Sequence, residues 1–372
     1  MNCEQNIMRS FPILEARDLQ VKRGGVPFLD VPSFQIGSGE ILSLIGPNGA
    51  GKTTLLLTLS HLTKRVSGEI LFHGKKVGSD FSIFEYRRHL AMVFQEPLLF
   101  DTTVFNNVAS GLKIRNMEKG EIRRTVLDHL DRFGITQLID RSARTLSGGE
   151  AQRTSLARAF AIKPEILLLD EPFAALDPPT RESLVEDLDR ALRESGTTAL
   201  FATHDRMEAL RLSDHIAVMN QGRIIQIGPP EEVMNRPVDE FVAGFVGVET
   251  ILSGKVIRKE EGGFIVSVSG KEIETVGEVP TGETVALCIR PENVTLSASS
   301  SKETTSARNV FQGRIAKILF LEFYGKVYLD CGFPLVAYIT RHSLENLGLE
   351  EGKEVKASFK ATAIHVVRRK AK

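Results

Sequence analysis

The chain has 372 residues, enough for two or three domains. Its 47 Lys plus Arg residues balance 47 Asp plus Glu residues, so no net charge draws it to nucleic acid or anionic lipid. The three cysteines, Cys3, Cys288 and Cys331, lack metal or redox spacing, and the polar start of the chain predicts no secretory signal. No apolar run approaches the roughly 18 residues that span a bilayer. If the protein works at a membrane, another chain must cross it.

The first two thirds of the chain predict an α/β fold. Residues 13–39 alternate apolar and polar side chains, which predicts antiparallel strands with a turn at Gly24-Gly25. From Ile41 onward, short apolar runs alternate with helical patterns, which favours a parallel sheet with helices on its faces. The predicted strands are 41–45, 91–94, 166–169 and 199–202. One predicted helix starts at 55, and three more cover 118–133, 147–162 and 178–193. A terminal hairpin is predicted over 216–219 and 222–227.

Near Gly247 the pattern changes to short strands and turns with few helices. Residues 254–256 match 313–315, residues 282–285 match 352–355, and a Ser/Thr-rich linker, 297–305, lies between the two halves. The repeat predicts two small β-barrels or one barrel pair built from these halves. We therefore predict a first domain over 1–247, with a helical subdomain at about 96–160, and an all-β domain over 248–372.

The segment between the strand at 41–45 and the next helix fits the phosphate-loop pattern G-x-x-x-x-G-K-[ST]. Glycines let backbone N–H groups curl around a phosphate chain, and the helix N-terminus adds a partial positive charge. Lys52 is placed to neutralise the β- and γ-phosphates, and Thr53 to hold Mg²⁺. A glycine turn that merely starts a helix is the alternative, but the flanking strand and helix favour a nucleotide site. The predicted contacts are Gly46, Pro47, Asn48, Gly49, Ala50, Gly51, Lys52, Thr53 and Thr54.

Two acids, Asp170 and Glu171, end a predicted buried strand. Ligands of open α/β sheets bind beyond the carboxyl ends of the strands, so both side chains are expected to face the nucleotide. Asp170 can complete the Mg²⁺ shell, and Glu171 can polarise an attacking water. Two solvated acids at a strand end are the alternative, which the upstream phosphate loop makes less favourable.

The run Leu146-Ser147-Gly148-Gly149-Glu150 begins a predicted helix. Ser147 and Glu150 have the spacing of a capping box, which by itself indicates only a well-started helix. A capping box does not explain the two glycines, each of which is about 1 kcal/mol less favourable than Ala inside a helix. They suit close approach of the backbone to an anion.

With this run the sequence resembles the ATP-binding cassette (ABC) ATPases, whose signature motif is LSGGQ; here Glu150 stands in the fifth place. The resemblance covers about residues 14–247, and six motifs follow in the family's order. They are the Walker A loop at 46–54, the Q-loop residue Gln95, the signature at 146–150, the Walker B pair Asp170-Glu171, the D-loop Ala175-Leu176-Asp177 and the switch histidine His204.

The resemblance implies an ATPase that works as a homodimer, with two cassettes packed head to tail. Each ATP is then held by Lys52 of one copy and by residues 147–150 and Asp177 of the other. It implies Glu171, His204, Gln95 and Lys52 as catalytic residues, and Thr53, Gln95 and Asp170 at the Mg²⁺. It also implies a peripheral subunit on the cytoplasmic face of the membrane. Its partners are permease subunits and, indirectly, a substrate-binding protein, with no nucleic acid.

The sequence leaves open how the adenine contact is made and what the apolar segment after Gln95 does. The family usually stacks an aromatic ring on adenine, and the alignment puts Arg23 at that position; Phe28 is a second candidate. A guanidinium plane can also stack on a base, so we predict that the adenine contact is either weaker than in the family or supplied by Arg23. Apolar residues after Gln95, at 97–100, either form the groove for a permease helix or belong to the subdomain core.

The C-terminal part resembles the molybdate/tungstate-binding Mop domain, most specifically in the run 306–309, Ser-Ala-Arg-Asn. In that family such residues surround a tetrahedral dianion, and the matching positions are Ser306, Arg308, Ser343 and Lys360. Two cations and several hydroxyl or N–H donors suit a small doubly charged anion. The alternative is an accessory barrel that binds nothing, as in sugar importers.

The sequence thus predicts a P-loop ABC ATPase domain followed by an all-β TOBE/Mop-like barrel. The implied function is that of the ATPase of a molybdate or tungstate importer, with the oxyanion as a regulatory ligand of the C-terminal domain. An importer ATPase for sulfate, sugar or iron is the nearer alternative. A cassette ATPase that moves nucleic acid or ribosomes is the more distant one, against which the neutral charge and the single cassette argue.

Overall fold

The computed structural model describes residues 12–63, 66–299 and 305–369. Cys3, most of the linker at 300–304 and the side chain of Arg23 lie outside the described part. The chain divides into two compact units, residues 1–230 and 231–372. Each is described by itself below.

Among its described residues, the first unit contains two sheets and seven α-helices. Its strands are β1 (Pro12–Arg23), β2 (Val26–Gly37), β3 (Ile41–Ile45), β4 (Val66–Phe72), β5 (Lys75–Lys76), β6 (Leu90–Val93), β7 (Ile166–Asp170), β8 (Thr198–Thr203), β9 (His215–Asn220) and β10 (Arg223–Gly228). Its helices are α1 (Lys52–Leu59), α2 (Ile83–Arg88), α3 (Val104–Ile114), α4 (Lys119–Arg132), α5 (Gly148–Ala161), α6 (Pro178–Ser195) and α7 (Arg206–Leu212).

The smaller sheet is antiparallel, in the order β2-β1-β4-β5. Strands β1 and β2 form the predicted hairpin, which turns at Gly24-Gly25 so that Arg23 pairs with Val26. Leu14 and Ala16 of β1 are buried, and after the irregularity at Asp18, whose φ is +50°, the buried residues are Leu19 and Val21, as expected for a strand with one face on a core.

The larger sheet has the order β10-β9-β3-β8-β7-β6. All its neighbouring pairs are parallel except β9 and β10, which form the predicted terminal hairpin. Every residue of β3, β7 and β8 is buried because helices or the other sheet cover both faces. Parallel pairing brings the carboxyl ends of these three strands to one edge of the sheet. The phosphate loop follows β3 at this edge, Asp170 ends β7, and His204 follows β8.

The range 96–160 contains α3, α4 and α5, which share one apolar core with the larger sheet. Val108, Leu130 and Phe133 are fully buried there, and the rings of Phe133 and Phe160 lie 5.6 Å apart. Thr103 caps α3 by accepting a hydrogen bond from the Asn106 N–H at 3.2 Å.

The second unit is mostly β-structure. It contains most of α8 (Pro230–Asn235), then α9 (Glu240–Phe245), β11 (Thr250–Glu260), β12 (Gly263–Val268), β13 (Lys271–Val276), β14 (Thr284–Ile289), β15 (Thr295–Ala298), β16 (Asn309–Phe320), β17 (Tyr324–Asp330), β18 (Pro334–Thr340), α10 (Arg341–Asn346), β19 (Glu354–Phe359) and β20 (Ile364–Arg368). These strands form two sheets, β13-β12-β11-β14-β20 and β15-β19-β16-β17-β18.

The two sheets repeat the same arrangement, as the internal repeat predicts. The Val256 N–H donates to the Glu283 carbonyl at 2.9 Å, and the Ile315 N–H donates to the Lys353 carbonyl at 2.9 Å. However, each half gives its last strand to the other: β15 pairs with β19, and β20 pairs with β14. One apolar core spans both sheets, so the halves form one interlocked barrel pair.

The two units divide earlier than the predicted boundary after residue 247. The physical reason is α9, which buries Ala243 together with Val248 against Ala286, Cys288 and Val367 of the second unit. Short helices of this kind carry no sequence pattern that assigns them to either neighbour. No helix of the described residues is long and apolar enough to cross a membrane.

Candidate functional site

The phosphate loop joins β3 to α1 and is shaped by glycines. A Cβ at Gly46 would lie 2.3 Å from the Met219 carbonyl oxygen, so only glycine fits. Gly51 precedes α1 with φ of +103°, a conformation that L side chains rarely adopt. The loop backbone is therefore held close to β9, and the Ala50 N–H donates to the Pro47 carbonyl at 3.1 Å.

Lys52 begins α1, and its side chain is almost fully buried. Its Nζ donates to the Gly46 carbonyl at 2.8 Å and to the Pro47 carbonyl at 3.4 Å. The same Nζ lies 3.5 Å from Oε1 of Glu171. The phosphate-loop cation and the Walker B acid are thus in direct electrostatic contact.

Thr53 and Asp170 meet beside them, where the Thr53 hydroxyl donates to Oδ1 of Asp170 at 2.9 Å. Burial raises the pKa of the Asp170 carboxyl, and the neighbouring charge of Glu171 adds to this; the Thr53 hydrogen bond and Lys52 oppose it. A hydroxyl and a carboxylate oxygen side by side are ligands that Mg²⁺ prefers. The residues present therefore fit the predicted magnesium site.

Glu171 lies at the turn that follows β7, with φ of +44°. This left-handed conformation is uncommon for a residue other than glycine and is often found at functional positions. The Glu171 N–H donates to the Ala202 carbonyl at 2.9 Å, and Oε2 lies 3.0 Å from Nδ1 of His204. Contacts therefore run without a break from Lys52 through Glu171 to His204.

Gln95 follows β6, whose Val93 pairs with Leu169 of β7. The Gln95 side chain is exposed, and no other described residue forms a hydrogen bond with it. Its position beside the end of β7 agrees with the predicted Q-loop, but its contact with a metal stays a prediction.

The signature run begins α5 with the predicted capping box. The Ser147 N–H donates to Oε2 of Glu150 at 2.7 Å, and the Glu150 N–H donates to the Ser147 hydroxyl at 3.3 Å. The hydrogen bond from the Ser147 backbone lowers the pKa of Glu150. The two glycines differ: a Cβ at Gly148 would meet nothing within 4 Å, whereas a Cβ at Gly149 would lie 2.7 Å from Cγ2 of Thr180. Only Gly148 has open space for an approaching ligand.

Asp177 caps α6 by accepting a hydrogen bond from the Thr180 N–H at 3.2 Å, and hydrogen bonds from the Thr180 side chain and then from its backbone lower the pKa of Asp177. Residues 147–150 and Asp177 line one open cleft of about 520 Å³. Among the described residues, no hydrogen bond or ion pair joins this group directly to Lys52, Glu171 or His204. In one copy of the chain, these two groups of residues are therefore separate.

The adenine contact stays a prediction. Arg23 is the last residue of β1, and its side chain is outside the described part. The second candidate, Phe28, lies next to the phosphate loop: Gly222 packs against the Phe28 carbonyl, and the Gly222 N–H donates to the Ala50 carbonyl at 2.9 Å.

The predicted oxyanion residues are brought together only in part. Asn309 pairs with Phe359, so Arg308 and Lys360 flank neighbouring strands, and Ser306 precedes them. Arg308 is exposed and forms an ion pair with Glu274 of β13. Ser343 lies in α10 and contacts Thr340, and no described contact joins it to Arg308 or Lys360.

Two groups of residues near the predicted sites were not found from the sequence. Glu274 is fixed by Asn309, which is buried and exchanges two hydrogen bonds of 2.8 Å with the Glu274 backbone. Behind His204, Arg181 pairs with Asp205 and Glu208. The only local signal for Arg181 is its place one turn after Asp177 in a charged helix, which many exposed residues share.

Comparisons with known proteins support the predicted family. The ABC transporter family model matches residues 29–174, and the TOBE domain model matches residues 305–366. The chain is 41% identical over 336 residues to the molybdate/tungstate import ATP-binding protein WtpC of Pyrococcus horikoshii, covering 90% of this chain and 94% of that protein. It is 35% identical over 343 residues to the sulfate/thiosulfate import ATP-binding protein CysA of Mycolicibacterium paratuberculosis, covering 92% of this chain and 88% of that protein.

A solved structure also matches. It is cbiO1 from Clostridium perfringens, described as part of the ABC transporter complex cbiONQ, with a TM-score of 0.56 and 33% identity over 64% of this chain and 95% of that one. The fold class, the family and the enzyme class predicted from the sequence are confirmed by these matches. The chain belongs to the import ATP-binding proteins of the ABC transporter family, and it is an ATPase that couples ATP hydrolysis to transport.

Proposed function

We propose that this chain is the ATP-hydrolysing subunit of a molybdate or tungstate importer. The observation that carries the proposal is the unbroken set of contacts from Lys52 through Glu171 to His204, with the Thr53–Asp170 pair beside it. This set supplies a cation for phosphates, a general base and a magnesium site at one sheet edge.

Each residue then has a distinct task in hydrolysis. Lys52 and the loop N–H groups hold the β- and γ-phosphates. Glu171 orients the attacking water and accepts its proton, and His204 contacts the γ-phosphate while its Nδ1 holds Glu171. Thr53, Asp170 and Gln95 would hold Mg²⁺, which neutralises charge that develops on the phosphates.

The second half of each ATP site comes from another copy of the chain. The motivation is that the signature residues and Asp177 line a cleft of their own, and that Gly148 leaves open space there. In the proposed homodimer, Ser147, Gly148 and their neighbours close over the nucleotide held by Lys52 of the opposite copy. ATP binding thus joins two cassettes, and hydrolysis releases them.

The proposed partner in the membrane is a permease that docks beside the Q-loop. Leu98 and Phe100 follow Gln95 and are 60% and 58% exposed, so apolar side chains are available on the segment after the Q-loop residue. The protein would then act at the cytoplasmic face of the membrane, with a substrate-binding protein as an indirect partner.

The proposed cargo and regulatory ligand is a tetrahedral oxyanion. Support comes from the run Ser306-Ala307-Arg308-Asn309 and from the similarity to an import protein named for molybdate and tungstate. Arg308 and Lys360 provide cations near the start of β16. Binding there would hold the cassettes apart and so lower ATPase activity when the oxyanion is plentiful.

The ATPase proposal is tested with Glu171→Gln in the full chain. We expect this variant to bind ATP, to form dimers in ATP on size-exclusion chromatography and to lose hydrolysis by about a hundredfold or more. Glu194→Gln, which alters an exposed ion pair with Arg132, serves as the control and should hydrolyse ATP normally. A Glu171→Gln protein that stays monomeric and binds no nucleotide would contradict the proposal.

The oxyanion proposal is tested by titrating the full chain with molybdate, tungstate and sulfate while recording heat and ATPase rate. Inhibition by molybdate or tungstate that disappears in Arg308→Ala/Lys360→Ala is the expected result. Arg341→Ala, which changes an exposed arginine of the same unit, should leave inhibition intact. Unaltered inhibition in the double variant would count against the assigned residues.

A sulfate importer is the second candidate, because the chain is also similar to a sulfate/thiosulfate import protein. Heat on titration with sulfate alone would favour this candidate.

A further inference from the structure

A charged network lies directly behind the loop that carries His204. The buried carboxylate of Glu208 accepts hydrogen bonds from the Thr203 hydroxyl and from Nε of Arg181, the latter at 2.7 Å. Asp205 forms an ion pair with the same guanidinium. Both neighbours of His204 are therefore connected to Arg181. Thr203 is connected to it through Glu208, and Asp205 contacts it directly.

The loop is further fixed by its own backbone. The Asp205 N–H donates to the Thr203 hydroxyl at 3.0 Å, and Oδ1 of Asp205 caps α7 by accepting the Met207 N–H at 2.7 Å. With the other carboxylate oxygen committed to Arg181, Asp205 has little freedom to move without breaking several contacts. His204 lies between these two fixed residues.

Arg181 connects this loop to a second functional element. It lies in α6, one turn after the cap residue Asp177, and its N–H donates to the Asp177 carbonyl at 2.9 Å. Asp177 lines the cleft of the signature residues. Arg181 thus belongs to the start of α6 through its backbone and contacts the loop 203–205 through its guanidinium.

The charges make this link costly to break. Burial raises the pKa of Glu208, whereas its hydrogen bonds to Thr203 and Arg181 favour the charged form. Without Arg181, a buried carboxylate would lose its partner, which is among the more damaging changes in a protein interior. The carboxylate would then take up a proton or turn toward water, and Thr203 would move with it. Lysine cannot replace the planar fork that serves two carboxylates at once.

We propose that Arg181 and Glu208 are positioning residues for ATP hydrolysis, which hold the loop 203–205 so that His204 stays against Glu171. They also tie the position of His204 to α6, which begins at Asp177. The proposal rests on the function proposed above for His204.

A double-mutant cycle tests it in the full chain. We expect Arg181→Ala to lower kcat by about tenfold to a hundredfold, as misplacement of a catalytic group does, with the Kd for ATP within about twofold of the wild type. In a His204→Ala background, adding Arg181→Ala should change kcat by less than about twofold, because its effect passes through the missing histidine. A residue that merely supports the fold would lower kcat by the same factor in both backgrounds.

The chain offers a matched control in Arg211, which pairs with Glu186 at 2.9 Å and so also joins α7 to α6 at an exposed site. Arg211 lines the same cleft as Arg181 and Asp205, but among the described residues no hydrogen bond or ion pair joins it to residues 203–205. Arg211→Ala should leave kcat within about twofold of the wild type. If Arg181→Ala does not fold, Arg181→Lys is measured in both backgrounds and should show the same dependence on His204.

Equal effects of Arg181 substitution with and without His204, or an equal loss in Arg211→Ala, would overturn the proposal. If His204→Ala by itself leaves kcat unchanged, the role proposed for His204 is wrong, and the positioning proposal falls with it. The His204→Ala variant alone therefore distinguishes failure of the proposed role of His204 from failure of the positioning proposal.

Discussion

The two glycines of the signature run give the sharpest prediction of the structure. Gly149→Ala would bring a Cβ to 2.7 Å from Cγ2 of Thr180, well inside the usual contact of about 3.5 to 4 Å. Only this methyl must move, since the next atom of Thr180 lies at 3.9 Å. Turning Thr180 from its preferred rotamer costs about 0.5–1.5 kcal/mol. Alanine returns about 0.5 kcal/mol through its better helix propensity, the lower end of the range for a helix interior, because residue 149 lies in the first turn of α5. The net loss is therefore up to about 1 kcal/mol.

Gly148→Ala should behave in the opposite way. Nothing lies within 4 Å of its Cβ, so the folded chain gains about 0.5 kcal/mol. The melting temperatures of the two variants should then differ by roughly 2–5 °C, with Gly148→Ala higher. ATPase activity should show the reverse order, because a methyl at residue 148 fills the space into which the opposite copy's nucleotide is proposed to move.

Calorimetric melting and ATPase rates of both variants check this reasoning. Gly149→Ala combined with Thr180→Ser, which removes the clashing methyl, should restore most of the lost stability. Equal melting temperatures for the two single variants would refute the packing argument. Full ATPase activity of Gly148→Ala would refute the role of the open space.

Three further predictions concern the metal site and the oxyanion site. Thr53→Ala should raise the Mg²⁺ concentration for half-maximal ATPase activity by at least about tenfold, whereas Thr53→Ser should stay near wild type because it keeps the hydroxyl. Burial raises the pKa of Asp170, so the folded protein binds this proton more tightly than the unfolded chain, and the ionised carboxylate lowers stability as pH rises. Asp170→Asn should therefore raise the melting temperature of the nucleotide-free protein at pH 7, by an amount that shrinks toward about pH 4; no gain at pH 7 would contradict this. Glu274→Gln frees the exposed Arg308 and should tighten molybdate binding about two- to fivefold in calorimetry, and unchanged or weaker binding would show that the two anions do not compete.

The central part of the fold could be predicted because its signals are local. The apolar run at 41–45 and the glycine-rich turn after it allow few alternatives, and the structure has a fully buried strand followed by α1. Capping of α5 by Ser147 was equally local. Parallel order then follows from alternating strands and helices, and it places the ends of β7 and β8 next to the phosphate loop.

The C-terminal unit could be predicted only in outline. Its repeat predicted two similar halves, yet the exchange of β15 and β20 depends on which edge each last strand meets. Residues 364–368 would extend either sheet equally well by their alternation alone. The sequence of α9 likewise does not indicate which unit its apolar face packs against.

The residues that sequence reasoning missed share one property, which is that their partners are distant in the chain. Arg181 looks like one more charge on an amphipathic helix until Glu208, 27 positions later, is seen to be buried beside it. Arg308 looks like a free cation until Glu274, 34 positions earlier, is found to pair with it. A motif reports which groups touch the ligand, because those are close in sequence and fixed in spacing. What holds such groups in place is decided by packing between elements, and a charge there is informative only when its burial and its partner are known together.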